Sequence, residues 1–300
     1  MNGYVATIGM FDGVHRGHQF VLQQVVEKAR ALGLQSMAIT FDHGLRGEPV
    51  LTPLDAKRLL LLKTGIDRVE VLSFNDELRQ MTAREFMEHV LRDQFHVRLL
   101  MTGYDNRFGH DRREGFNDYV RYGNELGIGV EGLPQASFTV SDGAVSSSLV
   151  RQQLLQGLVS EAAACLGYPY TITGHVAHGE HVGTTLGFPT ANIVPDDACQ
   201  LIPAAGVYAV KVRLEHAVGY KHAMMNVGTR PTFGGHHQTL EVHIFQLHDN
   251  LYGQQLSVSF VQRLREERRF ESSEALRMQL QQDACQVEEY FRNISEQEID

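Results

Sequence analysis

Three hundred residues, 43% of them hydrophobic, are more than one ordinary core needs and suit two domains. A formal net charge of -9 excludes a general nucleic-acid surface, which requires clustered Lys and Arg to displace phosphate counterions, so any nucleotide must be gripped locally. No run approaches the roughly 18 to 20 apolar residues of a membrane helix, and no basic leader precedes an apolar core at the start; the expectation is a soluble chain without membrane or nucleic-acid partners.

Cys165, Cys199 and Cys285 are far apart and odd in number, which argues against a disulfide framework or a cysteine zinc site and fits the reducing cytoplasm. The 15 histidines are spread along the chain rather than clustered, so a structural metal is not expected. A homo-oligomer is compatible with the sequence.

In chain order, Tyr4 to Ile8 reads as a strand, followed by a Gly-rich turn and a helical stretch from Gln19 to Leu32. Gln35 to Phe41 is the next strand, Leu54 to Lys63 a helix, Arg68 to Leu72 a strand and Ala83 to Gln94 a helix. Val97 to Thr102 adds a strand, Gly103 to Gly115 a polar loop and Phe116 to Leu126 a helix. Strands alternating with helices predict a mostly parallel sheet covered on both faces.

Two short helices, Ser148 to Gln156 and Ser160 to Leu166, come before a change of rhythm. Short alternating runs follow at Tyr170 to Val176, Gly206 to Leu214, His222 to Val227, Leu240 to Phe245 and Gln255 to Phe260. Strands in succession without intervening helices predict a small antiparallel barrel. From Ser272 to Phe291, Ala275, Leu276, Leu280, Ala284, Val287 and Phe291 fall at helical spacing, predicting a closing helix.

The segment from Gly9 through Phe11, Asp12, Gly13, His15 and Gly17 to His18 lies between a strand and a helix, where backbone N–H groups and the helix dipole face an anion. His15 and His18, three apart, can address the same triphosphate, and Gly13 and Gly17 allow close backbone approach. Ser146, Ser147 and Ser148, with Arg151 one turn on, read as a phosphate clamp or as a plain helix cap.

These residues carry a resemblance. Gly9 to His18 resembles the GxFDGxHxGH signature of the nucleotidylyltransferase superfamily, whose histidines bind ATP phosphates. The run Gly103-Tyr-Asp105-Asn106-Arg107-Phe108-Gly109 resembles GxDFRFG, and Val145 to Arg151 resembles (V/I)SSTxIR, both of the FAD synthetase module. By this resemblance Asp105 and Arg107 would orient nucleotide or flavin, although Arg107 equally suits a surface ion pair. Residues 167 to 290 resemble the riboflavin kinase module through Gly187-Phe-Pro-Thr190-Ala-Asn192, Asn226 to Gly234, Glu241 to Phe245, Leu251 to Gly253 and Leu264-Arg265. The sequence departs from the family at Thr40-Phe-Asp42-His43-Gly44-Leu45, which lacks two prolines, at Leu158, where a Gly-Asp pair is common, and at Thr184, where Arg is usual.

The chain thus resembles the bifunctional prokaryotic riboflavin kinase/FMN adenylyltransferase family. The resemblance implies an α/β plus all-β chain: a Rossmann-like nucleotidylyltransferase domain over residues 1–166, and a riboflavin-kinase-like antiparallel barrel with closing helix over 167–300. It implies riboflavin, FMN and ATP as small-molecule substrates and Mg²⁺ as cofactor. Thr190 and Asn192 would hold the ion, Glu241 would act as general base, Gly179 and Gly183 would form a flap over ATP, and Leu264 and Arg265 would close on the flavin. Rival readings are a riboflavin kinase with a weak adenylyltransferase half, a flavin-binding regulator without chemistry, and an adenylyltransferase for an unrelated phosphate.

Overall fold

The structure is a computed structural model that describes residues 3–42, 49–104, 106–110, 112–133, 139–140, 143–178, 182–232, 235–247 and 249–297. His43, Gly44, Leu45, Asp105 and Gly179 lie outside the described residues. The chain divides into two compact units, Met1–Ser147 and Ser148–Asp300.

The first unit is built on five parallel strands, β1 (Tyr4–Ile8), β2 (Gln35–Phe41), β3 (Arg68–Leu72), β4 (Val97–Thr102) and β5 (Gly129–Gly132), ordered β3-β2-β1-β4-β5. Side chains alternate across a strand, and both faces of this sheet are covered. Val5, Ala38, Leu99 and Met101 pack with Leu22, Val25, Val26 and Ala29 of helix α1 (Arg16–Leu32) and Leu61 of α2 (Leu54–Lys63). On the other face Ala6, Ile8, Met37, Ile39 and Leu100 meet Phe86, Met87, Leu91 and Tyr119. The order of strands reverses between β1 and β4, and the carboxyl ends of strands at such a point form the crevice in which open α/β sheets bind ligands.

One local expectation in this unit needs correction. The helix expected from Ala83 to Gln94 is a single α-turn, α4 (Ala83–Glu85), continued by a π-helical segment, Phe86–Gln94. Phe86, Val90 and Leu91 share a core face in the wider winding as they would in an α-helix, so hydrophobic spacing does not separate the two. A short helix, α3 (Asp76–Gln80), lies between β3 and α4, where no element was expected; Asn75 caps it by accepting the Leu78 N–H at 2.9 Å. Helix α5 (Phe116–Leu126) precedes β5, and a small β6–β7 hairpin (Thr139–Val140 with Gly143–Ala144) precedes α6 (Ser147–Leu155) and α7 (Val159–Leu166).

The second unit is a closed six-stranded antiparallel barrel. Its strands are β8 (Thr171–Ala177), β9 (Ala191–Pro195), β10 (Gly206–Leu214), β11 (Lys221–Thr232), β12 (Gly235–Ile244) and β13 (Gln255–Arg265), in the order β10-β11-β12-β9-β8-β13. A single helical turn, α8 (Val182–Thr185), precedes β9. Leu240, Val242 and Ile244 of β12 are buried, while Glu241 and His243 between them are half-exposed, the alternation of a wall with one dry face. Strand β9 was not expected, because Pro189 and Pro195 bracket it and its residues read as a turn. The closing helix α9 (Ser273–Gln297) runs beyond the expected Phe291 and lays Val287 and Phe291 against Ala209 of β10 and Met224 of β11.

Candidate active sites

The β1–α1 loop of the first unit turns sharply: Phe11, Gly13 and Val14 all have positive φ, 49°, 80° and 34°. For a β-branched residue such as Val14 this conformation is strained and persists only when its surroundings impose it. Asp12 turns its carboxylate inwards and accepts the Leu51 N–H at 3.0 Å and the Thr52 N–H at 3.2 Å, while its carbonyl accepts the Ser147 hydroxyl at 2.8 Å.

His15 caps α1. Its Nδ1 accepts the His18 N–H at 3.3 Å, so this nitrogen carries no proton and the neutral ring bears its hydrogen on Nε2. The two imidazoles stack with centroids 3.6 Å apart, and Phe11 meets His18 edge-on at 5.3 Å. Burial pushes the His15 pKa down to about 4 and that of His18 well below the usual value, with His15 and Lys57 adding to the shift at His18. Both rings are therefore neutral at pH 7. The His18 Nδ1 is buried and has no hydrogen-bond partner. A Cβ at Gly17 would lie 3.2 Å from the His15 ring and press on it.

The structure brings other expected residues to the same strand ends. Asn106 donates to the Ile8 carbonyl at the end of β1 (3.1 Å) and to Thr102 at the end of β4 (3.0 Å), bridging the switch point. Arg107 donates to the Tyr104 and Asn106 carbonyls and stiffens its own loop, and Phe108 stacks on Tyr119 at 4.1 Å. Ser148 and Arg151 follow on α6, in the second unit. Lys57, which sequence reasoning missed, lies beneath the loop and donates to the carbonyls of Phe41 at 2.8 Å and Met10 at 3.3 Å. A lysine in a leucine-rich helix carries no motif and reads as a surface charge.

In the barrel, β9 pairs with β12 so that Asn192 stands directly opposite Glu241, and on the other side Glu241 stands opposite Asn226 of β11. Directly opposed residues of neighbouring strands point to the same face, so the three polar side chains form one row on the outer wall. Asn226 had a place in the motif but no role. Thr190 lies just before β9; a Cβ at Gly183 would sit 3.3 Å from its hydroxyl and 2.3 Å from the Phe188 carbonyl, so only glycine fits there. His243 Nδ1 lies 2.7 Å from the Pro189 carbonyl, which fixes Nδ1 as a donor and pins the residue before Thr190 to β12.

Leu264 packs in the α9 cluster, and Arg265 forms a two-pronged ion pair with Asp283 of α9, Nη2 to Oδ2 at 2.8 Å. Asp283 is 1% exposed. A cavity of about 340 Å³ lies elsewhere on the unit, lined by Lys221, His222, Phe245, Gln246, Glu288, Phe291 and Arg292, none of them in the polar row.

Thr190, Asn192 and Glu241 offer hard oxygens, and no group of three or more His, Cys, Asp or Glu suited to a metal occurs among the described residues. That donor set fits an ion which keeps much of its water and leans on substrate phosphates, and does not fit zinc.

Comparison with known proteins agrees with both halves. The FAD synthetase family matches residues 1–149 and the riboflavin kinase family residues 166–291. Bifunctional riboflavin kinase/FMN adenylyltransferases of Haemophilus influenzae and Pseudomonas fluorescens are 36% and 39% identical to this chain, over 98% and 94% of it and 96% and 91% of their own lengths. A solved structure from Streptococcus pneumoniae, described as a macrolide-efflux protein, superposes with a TM-score of 0.85 at 29% identity, covering 94% of this chain and 93% of its own. Among the described residues no helix is long and apolar enough to cross a membrane.

A nucleotide-binding α/β unit followed by a polar-walled β-barrel defines a two-domain transferase that uses ATP. The chain belongs to the bifunctional riboflavin kinase/FMN adenylyltransferase family.

Proposed function

We propose that the two activities of the family, phosphorylation of riboflavin to FMN and adenylylation of FMN to FAD, are carried by residues of different halves of the chain, 167–300 and 1–166. The observation that carries the kinase assignment is the pairing of Glu241 with Asn192 across β12 and β9. Glu241 takes the proton from the riboflavin 5′-hydroxyl as that oxygen attacks the γ-phosphorus of ATP. Mg²⁺ is the ion proposed, held by the oxygens of Thr190 and Asn192 and neutralising phosphate oxygens when bound. Gly183, with Gly179 outside the described residues, is assigned to the ATP phosphates, and Leu264 and Arg265 to the end of the wall that receives flavin.

In the first half, the FMN phosphate attacks the α-phosphorus of ATP in line and pyrophosphate leaves. His15 donates through Nε2–H to the departing phosphates, and neutral His18 joins it from the next turn; neither passes through a covalent intermediate. The glycines of the loop, with Phe11 and Asp12, shape this cradle. Ser146, Ser147, Ser148 and Arg151 are assigned to phosphate, and Asp105, Asn106, Arg107 and Phe108 to nucleotide or flavin. Riboflavin, FMN and ATP are the substrates, the site of action is the cytoplasm, and no macromolecular partner is required.

The kinase assignment is tested with Glu241→Gln, which keeps shape and removes the base. FMN formation from riboflavin, followed by chromatography, is expected to fall about 10²-fold or more in kcat. A variant within a few-fold of the parent removes Glu241 from the chemistry.

A further inference from the structure

Lys57 is 5% exposed although it belongs to α2, where Leu59 and Leu62 face outwards at 62% and 44%. Leu61, one turn on, is fully buried on the same face, so Lys57 points into the core side of the helix. A buried ammonium is costly unless its donors are met, and Lys57 Nζ meets the Phe41 carbonyl at 2.8 Å and the Met10 carbonyl at 3.3 Å. Burial draws its pKa below the ordinary lysine value, an effect the Asp12 and Asp42 carboxylates oppose.

Met10 opens the loop that contains the positive-φ residues Phe11, Gly13 and Val14. Its carbonyl also accepts the Thr40 hydroxyl at 3.0 Å. The chain entering α2 grips the loop a second time, through the Leu51 and Thr52 N–H groups on the Asp12 carboxylate. Strain of this kind costs about 1 to 3 kcal/mol per residue and relaxes where its restraints are removed.

We infer that Lys57 is a positioning residue for polyphosphate binding: by holding the Met10 and Phe41 carbonyls it keeps the loop of residues 10–14 in the shape that presents His15 and His18 to ATP. The role rests on the reading of the first unit as the site of adenylyl transfer. It confines the effect of Lys57 to the phosphate part of the nucleotide, because the loop it holds is the one assigned to phosphate.

The test uses the full chain with Lys57→Met, read on FAD formation from FMN and ATP. The KM for ATP and the Ki for pyrophosphate are expected to rise about tenfold or more, the effect of losing a charge-assisted contact. The Ki for adenosine and the KM for FMN stay within about twofold, which reports a folded first unit, and FMN formation by the same preparation, assigned to the other half of the chain, also stays within about twofold. Thr40→Val, which removes the second donor to the Met10 carbonyl and leaves Lys57 in place, raises the same two constants by a smaller factor, about threefold.

An unchanged KM for ATP in both variants overturns the role. So does an equal rise for ATP, pyrophosphate and adenosine, which marks general collapse of the unit. A parent chain that makes no FAD defeats the reading of the unit and this role with it; a parent that makes FAD beside an unaffected Lys57→Met defeats only the role.

Discussion

At the level of single residues, the role proposed for the histidine pair depends on its being uncharged. An imidazolium at either position would face burial and a second ring stacked at 3.6 Å, and the His15 Nδ1 is already committed to the His18 N–H. In the proposed adenylyl transfer the pair would offer N–H donors, which neither repel each other nor need rearrangement as charge moves onto pyrophosphate. The same burial makes stability depend on pH. With the folded pKa of His15 at about 4 and the ordinary value at 6.5, the unfolded chain binds the additional proton between those values, so stability is full above about pH 6.5 and is lost as the pH falls towards 4. His15 alone accounts for roughly 2 kcal/mol between pH 7.5 and pH 5. Urea denaturation followed at the two pH values is expected to show at least that loss in the parent and a loss smaller by about 2 kcal/mol in His15→Gln, where buried His18 still contributes; equal losses in the two proteins contradict the assignment.

At the level of elements, β9, β12 and α9 hold the wall proposed for the kinase reaction. Register places Asn192 beside Glu241, and the Arg265–Asp283 pair fixes α9 to the end of β13. Asp283 is buried and Arg265 nearly so, and breaking such a pair on one side leaves an uncompensated charge. Asp283→Asn is expected to destabilise the unit by about 3 kcal/mol or more, measured as a shift in urea midpoint; a change under about 1 kcal/mol sinks the view of this pair as the anchor of α9.

Much of this was legible in the sequence, since the strands of the parallel sheet, the barrel runs and the closing helix announce themselves by period 2 or 3.6. What escaped did so for physical reasons. Strand β5, Gly-Val-Glu-Gly, has almost no β propensity and exists because β4 offers it an edge. Strand β9 hides between prolines, so Asn192 read as part of a turn when it is a rung of the barrel. Lys57 escaped because its value lies in two carbonyls distant in sequence, and no local pattern encodes that.

At the level of the whole molecule, α6 and α7 form part of the second compact unit. The Ala204 N–H donates to the Leu154 carbonyl at 3.0 Å, the Ser160 hydroxyl donates to the Val261 carbonyl at 3.0 Å, and the Arg263 guanidinium reaches the Gln156 carbonyl. Helix α6 thus brings Ser148 and Arg151, residues of the adenylyl-transfer motif, into the unit that also contains the kinase barrel. The proposed division of the chemistry, after residue 166, and the division of the packing, after Ser147, fall at different places in the chain. Separation of the chemistry is the claim on which the account stands.

That separation is tested most directly by a time course with riboflavin, ATP and Mg²⁺ that resolves FMN from FAD, run with the parent chain, Glu241→Ala and His18→Ala. The parent should form FMN and then FAD. Glu241→Ala should form no FMN yet convert supplied FMN to FAD, and His18→Ala should accumulate FMN without carrying it further. Loss of both steps to the same extent in either variant would contradict the account.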